Sequence, residues 1–383
     1  MKLPEGYLEY LIELRRQLHR HAELSGSEEK SAQIIKEFVS RFNPDEVITG
    51  LGGHGVAVIY NGTANGPAVL LRAELDALPI ADANENVYKS ICPGVSHKCG
   101  HDGHMTIVAG LAGMLHRNPP KKGRVILLFQ PAEETGLGAT GIVNDPKFGR
   151  LAPDYVFALH NLPGNKSNRI LVKSGAMTCA SIGMYIRLDG KTAHASHPQE
   201  GRSPASAMCE IIHQLPALGS ISELKNMIAL VTVVYARMGA KSYGIAPGFA
   251  EIMATLRAQT DTALDLIRKH AVDRVSAFAK KDRLEYAIDW HDHFGAGAND
   301  EQATRIVAKA SGTVGFEIEW LTQPFRWSED FGVFTSRFPG ALFALGAGRQ
   351  TPPLHSPAYD FPERMIQPGL RIFQAIIDQL LNN

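Results

Sequence analysis

The chain has 383 residues, 44% hydrophobic and 20% charged, proportions of a folded globular protein that exclude long disordered or fibrous tracts. Lysine plus arginine balances aspartate plus glutamate at 39 each, so net charge supplies no pull toward nucleic acid or an anionic membrane, and partners have to be argued from local sites. Four cysteines, Cys92, Cys99, Cys179 and Cys209, do not form a disulfide framework in a chain this long. The N-terminus alternates apolar and charged residues without the unbroken apolar stretch of a signal peptide, and no run is long enough to span a membrane. The expectation is a cytoplasmic protein in a reducing compartment, where a cysteine is free to bind metal.

In chain order, residues 7–42 read as one or two amphipathic helices, with Leu8, Leu11 and Ile12, then Ile34, Ile35 and Phe38, at helical spacing. Short apolar runs at 56–59, 69–71, 125–129 and 155–159 read as strands, and 105–115 as a helix between them. This alternation predicts an α/β domain with a largely buried sheet and functional residues beyond the strand ends. Across 180–292 the texture changes to strand, helix, two strands and helix, at 182–188, 205–215, 228–234, 250–257 and 262–280. That order suits a small four-stranded sheet with two helices on one face and a core of its own. Helical patterns return at 299–310 and 367–381, flanking the apolar run 341–345. The predicted domains are therefore 1–179 with 293–383, and an inserted 180–292.

The densest chemical signal is His97-Lys98-Cys99-Gly100-His101-Asp102-Gly103-His104. Thiol and imidazole donors suit borderline divalent cations, and the glycines let the backbone turn so that side chains two apart converge. Taken alone, the cluster fits a structural zinc loop or surface histidines beside a helix N-terminus equally well. Glu133 and Glu134 follow the strand-like 125–129 and Pro131; in a turn beyond a strand both carboxylates approach one place, one as ligand and the other as proton carrier, whereas a solvated charge pair is the plainer alternative. His160 follows the run 155–159, and His355 sits in Pro353-Leu354-His355-Ser356-Pro357. All four places belong to the predicted α/β domain, which is what joins them into one candidate site.

These residues, in this order, resemble the M20 metallopeptidases, in particular the amidohydrolase subfamily of aminoacylases, hippurate hydrolases and auxin-conjugate (IAA-amino acid) hydrolases. The resemblance runs from Leu18-His19-Arg20-His21-Ala22-Glu23-Leu24 through Arg72-Ala73-Glu74-Leu75-Asp76-Ala77-Leu78-Pro79, the cysteine-histidine cluster, the glutamate pair, Ala158-Leu159-His160, Gly190-Lys191-Thr192-Ala193-His194-Ala195 and Ser328-Glu329-Asp330-Phe331 to Leu354-His355-Ser356-Pro357. It implies a mixed-sheet catalytic domain of zinc-peptidase type, interrupted by a smaller α+β, ferredoxin-like lid that commonly dimerises, hence a homodimer. It implies two divalent cations, zinc or manganese with cobalt or nickel as alternatives, held by Cys99, His101, Glu134, His160 and His355, with Cys99 bridging. Glu133 then becomes the general base, His194 a donor to the scissile carbonyl oxygen, and Arg257 the partner of a substrate carboxylate. The implied activity is hydrolysis of a small-molecule amide, an N-acyl amino acid. A dipeptidase or carboxypeptidase would share the same ligands, and an inactive small-molecule binding protein would share the fold. Trp327 and Phe331 are either acyl-pocket or core aromatics.

Overall fold

The computed structural model describes residues 5–382, which fall into two units: Met1–Met177 with Gly297–Gln323 and Asp330–Asn383, and Thr178–Ala296 with Pro324–Glu329. The first unit opens with helices α1 (Tyr7–Arg20) and α2 (Glu29–Ser40), whose apolar faces bury Leu11, Leu14, Leu18, Ile34, Ile35 and Phe38. Strands β1 (Glu46–Leu51), β2 (Gly55–Asn61) and β3 (Ala64–Glu74) follow, then α3 (His101–Arg117), β4 (Lys122–Gln130), α4 (Gly138–Asn144), β5 (Tyr155–Pro163), β6 (Arg169–Val172) and β7 (Gly175–Thr178). After the second unit's residues come β14 (Gly297–Asn299), α7 (Glu301–Val314), β15 (Glu317–Trp320), α8 (Gly332–Thr335), β16 (Gly340–Gly348) and α9 (Ile366–Ile377).

Eight of these strands form one mixed sheet in the order β1-β2-β4-β3-β5-β16-β6-β15. Its centre is parallel, β4 with β3, β3 with β5 and β5 with β16. Those strands read as unbroken apolar runs because both faces are covered; Val125 to Phe129 of β4 and all of β16 are buried. Helix α3 is buried at every residue from His101 to Leu115, as an all-round apolar helix has to be. It packs with α1, α2, α9 and the sheet in one core containing Leu11, Phe38, Ile107, Leu111, Leu127, Phe343 and Phe373.

The second unit contains β8 (Ala180–Asp189), β9 (Ala193–His194), α5 (Ala205–Gln214), β10 (Ala229–Met238), β11 (Ile245–Ala246), β12 (Phe249–Ala258), α6 (Asp261–Lys281) and β13 (Glu285–Phe294). Four strands make an antiparallel sheet in the order β10-β12-β8-β13. Alternation along β8 and β12 turns Ile182, Met184, Ile186, Ile252, Ala254 and Leu256 inward, where they meet Ile211 of α5 and Leu264, Ile267 and Val275 of α6. Strand β13 went unread because as an edge strand it carries Asp289, His291, Asp292 and His293, polarity that edges favour and that breaks an apolar run. Among the described residues no helix is long and apolar enough to cross a membrane.

Candidate active site

Every functional segment of the first unit is placed by the mixed sheet and α3. The chain reaches α3 through Gly100 at φ 96, where a Cβ would stand 2.5 Å from the Asn161 side-chain nitrogen; only glycine allows that approach. Cys99 lies just before this turn and His101 opens the helix. After β4, Pro131 ends the strand and Ala132 takes the left-handed conformation, φ 52, with its N–H on the Glu28 carboxylate at 2.7 Å. The turn closes by Gly136 N–H to Glu133 O at 2.8 Å and Gly138 N–H to Ala132 O at 3.0 Å. An added Cβ at Gly138 would come within 1.7 Å of the Pro131 carbonyl oxygen. This tight turn brings Glu133 and Glu134 to the same place, and the Glu134 N–H is held at 2.9 Å by Asp76.

His160 lies inside β5 rather than past its end, because β5 stays paired with β16 through Pro163, His160 opposite Ala344. His355 is in the turn between β16 and α9, also left-handed at φ 63. Cys99, His101, Glu133, Glu134, His160 and His355 therefore come together. Cys99 Sγ is 3.5 Å from His160 Nε2, His101 Nε2 is 3.8 Å from both Glu133 Oε2 and Glu134 Oε1, and His355 Nε2 is 4.0 Å from Glu134 Oε2. Donor atoms of Cys99, His101 and His160 form one group within 4.8 Å of one another, and those of Cys99, Glu134 and His355 a second.

The donor chemistry fits divalent cations. His160 Nδ1 lies 2.8 Å from the Asn161 carbonyl and His101 Nδ1 lies 2.9 Å from the Asp76 carbonyl; carbonyls only accept, so both Nδ1 atoms donate and both Nε2 atoms face the cluster, where they can bind a cation. His101 Nε2 is buried and has no hydrogen-bond partner among the described residues. Burial, with Glu134 nearby, pushes the Cys99 thiol up to about 12, so a cation is what this sulfur requires in order to ionise.

A fully buried layer supports these groups. Burial alone would raise the Glu74 carboxyl, but Arg72, then His104 and His101, hold it well below the usual carboxylate range. Glu74 accepts from His104 Nδ1 at 2.8 Å, and His104 Nε2 accepts the Asn161 N–H at 3.0 Å. Arg72 also donates to Asp330 at 2.6 Å and Gln130 at 2.9 Å, and its guanidinium lies over the buried Phe331 ring. Phe331 is thus a core aromatic. Trp327, in the second unit, stacks on Phe325 with centroids 4.8 Å apart.

Sequence reasoning missed Asp76, Asn161 and Tyr359 as members of this site. Asp76 had a signal, a carboxylate just past a buried strand; asparagine and tyrosine carry no such mark.

The other two predicted site residues belong to the second unit. His194, exposed on β9, pairs with Ile245 of β11; its Nδ1 accepts the Ser196 N–H at 3.1 Å. Arg257, half-buried on β12, donates to Ser328 Oγ at 2.6 Å.

A mixed α/β sheet that gathers thiol, imidazole and carboxylate donors around a buried glutamate defines a metal-dependent hydrolase. The chain belongs to the peptidase family M20/M25/M40, whose model matches residues 70–379. It is 29% identical over 361 residues to the N-acetyl-L-cysteine deacetylase of Bacillus subtilis, covering 93% of this chain and 84% of that one. It is 27% identical over 379 residues to the N-acetyldiaminopimelate deacetylase of Lactobacillus helveticus, covering 96% of each. Among solved structures it is similar to a Bacillus subtilis protein described as a dinuclear metal binding peptidase from the M20 family, with a TM-score of 0.81 and 25% identity, covering 99% of both chains.

Proposed function

We propose that the protein hydrolyses the amide bond of N-acyl amino acids to a carboxylate and a free amino acid, using two divalent cations, zinc or manganese. The observation that carries this reading is the pair of donor groups sharing Cys99 with the Glu133 carboxylate beside them. Cys99, His101 and His160 would hold one cation and Cys99, Glu134 and His355 the other. When bound, the cations supply Lewis acidity, polarising the amide carbonyl and lowering the pKa of an attacking water.

Glu133 is 5% exposed. It accepts the proton of the attacking water and returns it to the amide nitrogen, which departs as a neutral amine. Because His194 Nδ1 accepts the Ser196 N–H, its proton is on Nε2, the tautomer needed to donate to the developing oxyanion. Arg257 presents a planar donor fork suited to the carboxylate of the amino-acid half. The deacetylase relatives, which are described as acting on N-acetylated amino acids, support this substrate class.

The test is amino-acid release from N-acetyl, N-benzoyl and indole-acetyl amino acids and from dipeptides, before and after chelator stripping and reloading with zinc, manganese, cobalt or nickel. Release from N-acyl amino acids is expected, lost on stripping and restored by metal. Cleavage confined to the dipeptides would replace this reading with a dipeptidase, and release that survives complete stripping would refute it.

A further inference from the structure

His355 is held in a conformation that residues other than glycine rarely adopt, φ 63, and such a conformation persists only where its surroundings over-determine it. The restraints form a closed circuit. The His355 N–H donates to the Lys98 carbonyl at 2.8 Å. Lys98 Nζ returns to the Tyr359 carbonyl at 2.8 Å, anchored also on Asp82 at 2.6 Å. The Tyr359 hydroxyl donates to Asn161 Oδ1 at 2.6 Å, and Asn161 Nδ2 donates to the Cys99 carbonyl at 2.7 Å. Lys98, Asn161 and Tyr359 are each 0% exposed, so these bonds meet no competition from solvent.

We propose that Tyr359, acting through Asn161, is a positioning residue that fastens the His355 turn to the Cys99 loop and thereby sets the Cys99, Glu134 and His355 group. The other group shares Cys99, but its His101 and His160 have supports of their own. His101 is oriented by the Asp76 carbonyl, His160 by the Asn161 carbonyl and by the register of β5 on β16, and none of these uses the Tyr359 hydroxyl. Loss of that oxygen atom therefore reaches both groups through Asn161 and the shared Cys99, but it also frees the His355 turn, so the Cys99, Glu134 and His355 group depends on it more. This inference rests on the two-cation reading above.

The test is zinc titration of the stripped full-length chain against a competing chelating dye. Wild type is expected to take up two zinc ions, and fewer than two would overturn the two-cation reading itself. Tyr359→Phe keeps the ring and removes only the hydroxyl; it is expected to weaken one zinc site by about 10- to 100-fold, the usual effect of losing a group that orients a ligand, and the other, which shares Cys99, by a clearly smaller factor. His355→Ala should weaken the same site further, and adding Tyr359→Phe to it should cost the remaining site no more than that smaller factor. Tyr7→Phe is the control, because it removes another buried hydroxyl, 2.8 Å from the Gly110 carbonyl, away from the circuit; it should keep both sites. Two undiminished zinc sites in Tyr359→Phe, equal weakening of both, or the same selective loss in Tyr7→Phe would each overturn the proposal.

Discussion

Glu133→Gln is expected to lower kcat by about 10²- to 10⁴-fold, the usual contribution of a positioned general base, while zinc stoichiometry stays at the wild-type value and KM changes little. Glutamine preserves the shape of the side chain in a turn that has no spare room, since Ala132 is left-handed and a Cβ at Gly138 would overlap the Pro131 carbonyl. What it removes is basicity. An amide oxygen cannot take a proton from water at neutral pH, so a loss in kcat without a loss of metal isolates the proton-transfer role. Glu134→Gln provides the contrast: as a proposed ligand facing His101 at 3.8 Å and His355 at 4.0 Å, it should lose metal along with activity. A Glu133→Gln enzyme with near wild-type kcat and full metal content would remove Glu133 from the mechanism.

Arg15→Met is expected to lower the free energy of unfolding by about 3–5 kcal/mol, as removal of one partner from a buried ion pair does. Arg15 and Asp102 are both 0% exposed, with Nε 2.9 Å from the carboxylate. Asp102 also faces His19 Nδ1 at 2.7 Å, and Arg15 reaches Asp360 and stacks 4.9 Å from the Tyr88 ring centre. Methionine fills most of the volume but leaves Asp102 charged inside the protein. The first turn of α3 offsets part of that charge, through its dipole and through the Gly103 N–H at 2.9 Å from Asp102 Oδ1, which places the effect within that range rather than above it. Urea titration of the metal-free protein measures it directly. A change below about 1 kcal/mol would show that His19 and the helix terminus alone satisfy Asp102.

Parts of the architecture were legible for simple reasons. Doubly buried parallel strands are continuous apolar runs, as in Val125 to Phe129, and sulfur and nitrogen donors around Cys99 are dense enough to mark a place in the chain. The glutamate pair became interpretable because a proline follows the strand that precedes it. Other parts were hidden by physics rather than by lack of data. The polar edge strand β13 has no apolar run to read, and the extension of β5 through His160 depends on pairing with β16, a partner remote in sequence. Pro324–Glu329, which clusters with the second unit, carries no compositional mark. Asn161 and Tyr359 matter through hydrogen bonds that exist only once three distant segments have met, and a residue type that serves equally well in any buried corner announces nothing.

The place of β16 in the sheet bears on how the protein is made. Lying between β5 and β6, it is the middle of the sheet's later half, yet it emerges from the ribosome after the whole of 178–296. Until then β5 has an open parallel edge built from buried residues such as Val156, Phe157, Ala158 and Leu159, the kind of surface on which nascent chains aggregate. The second unit, with its own core and a sheet whose strands all lie between residues 180 and 294, is free to fold during that interval. Ribosome-bound chains stopped before residue 340 should therefore show a folded second unit beside a first unit that still requires protection.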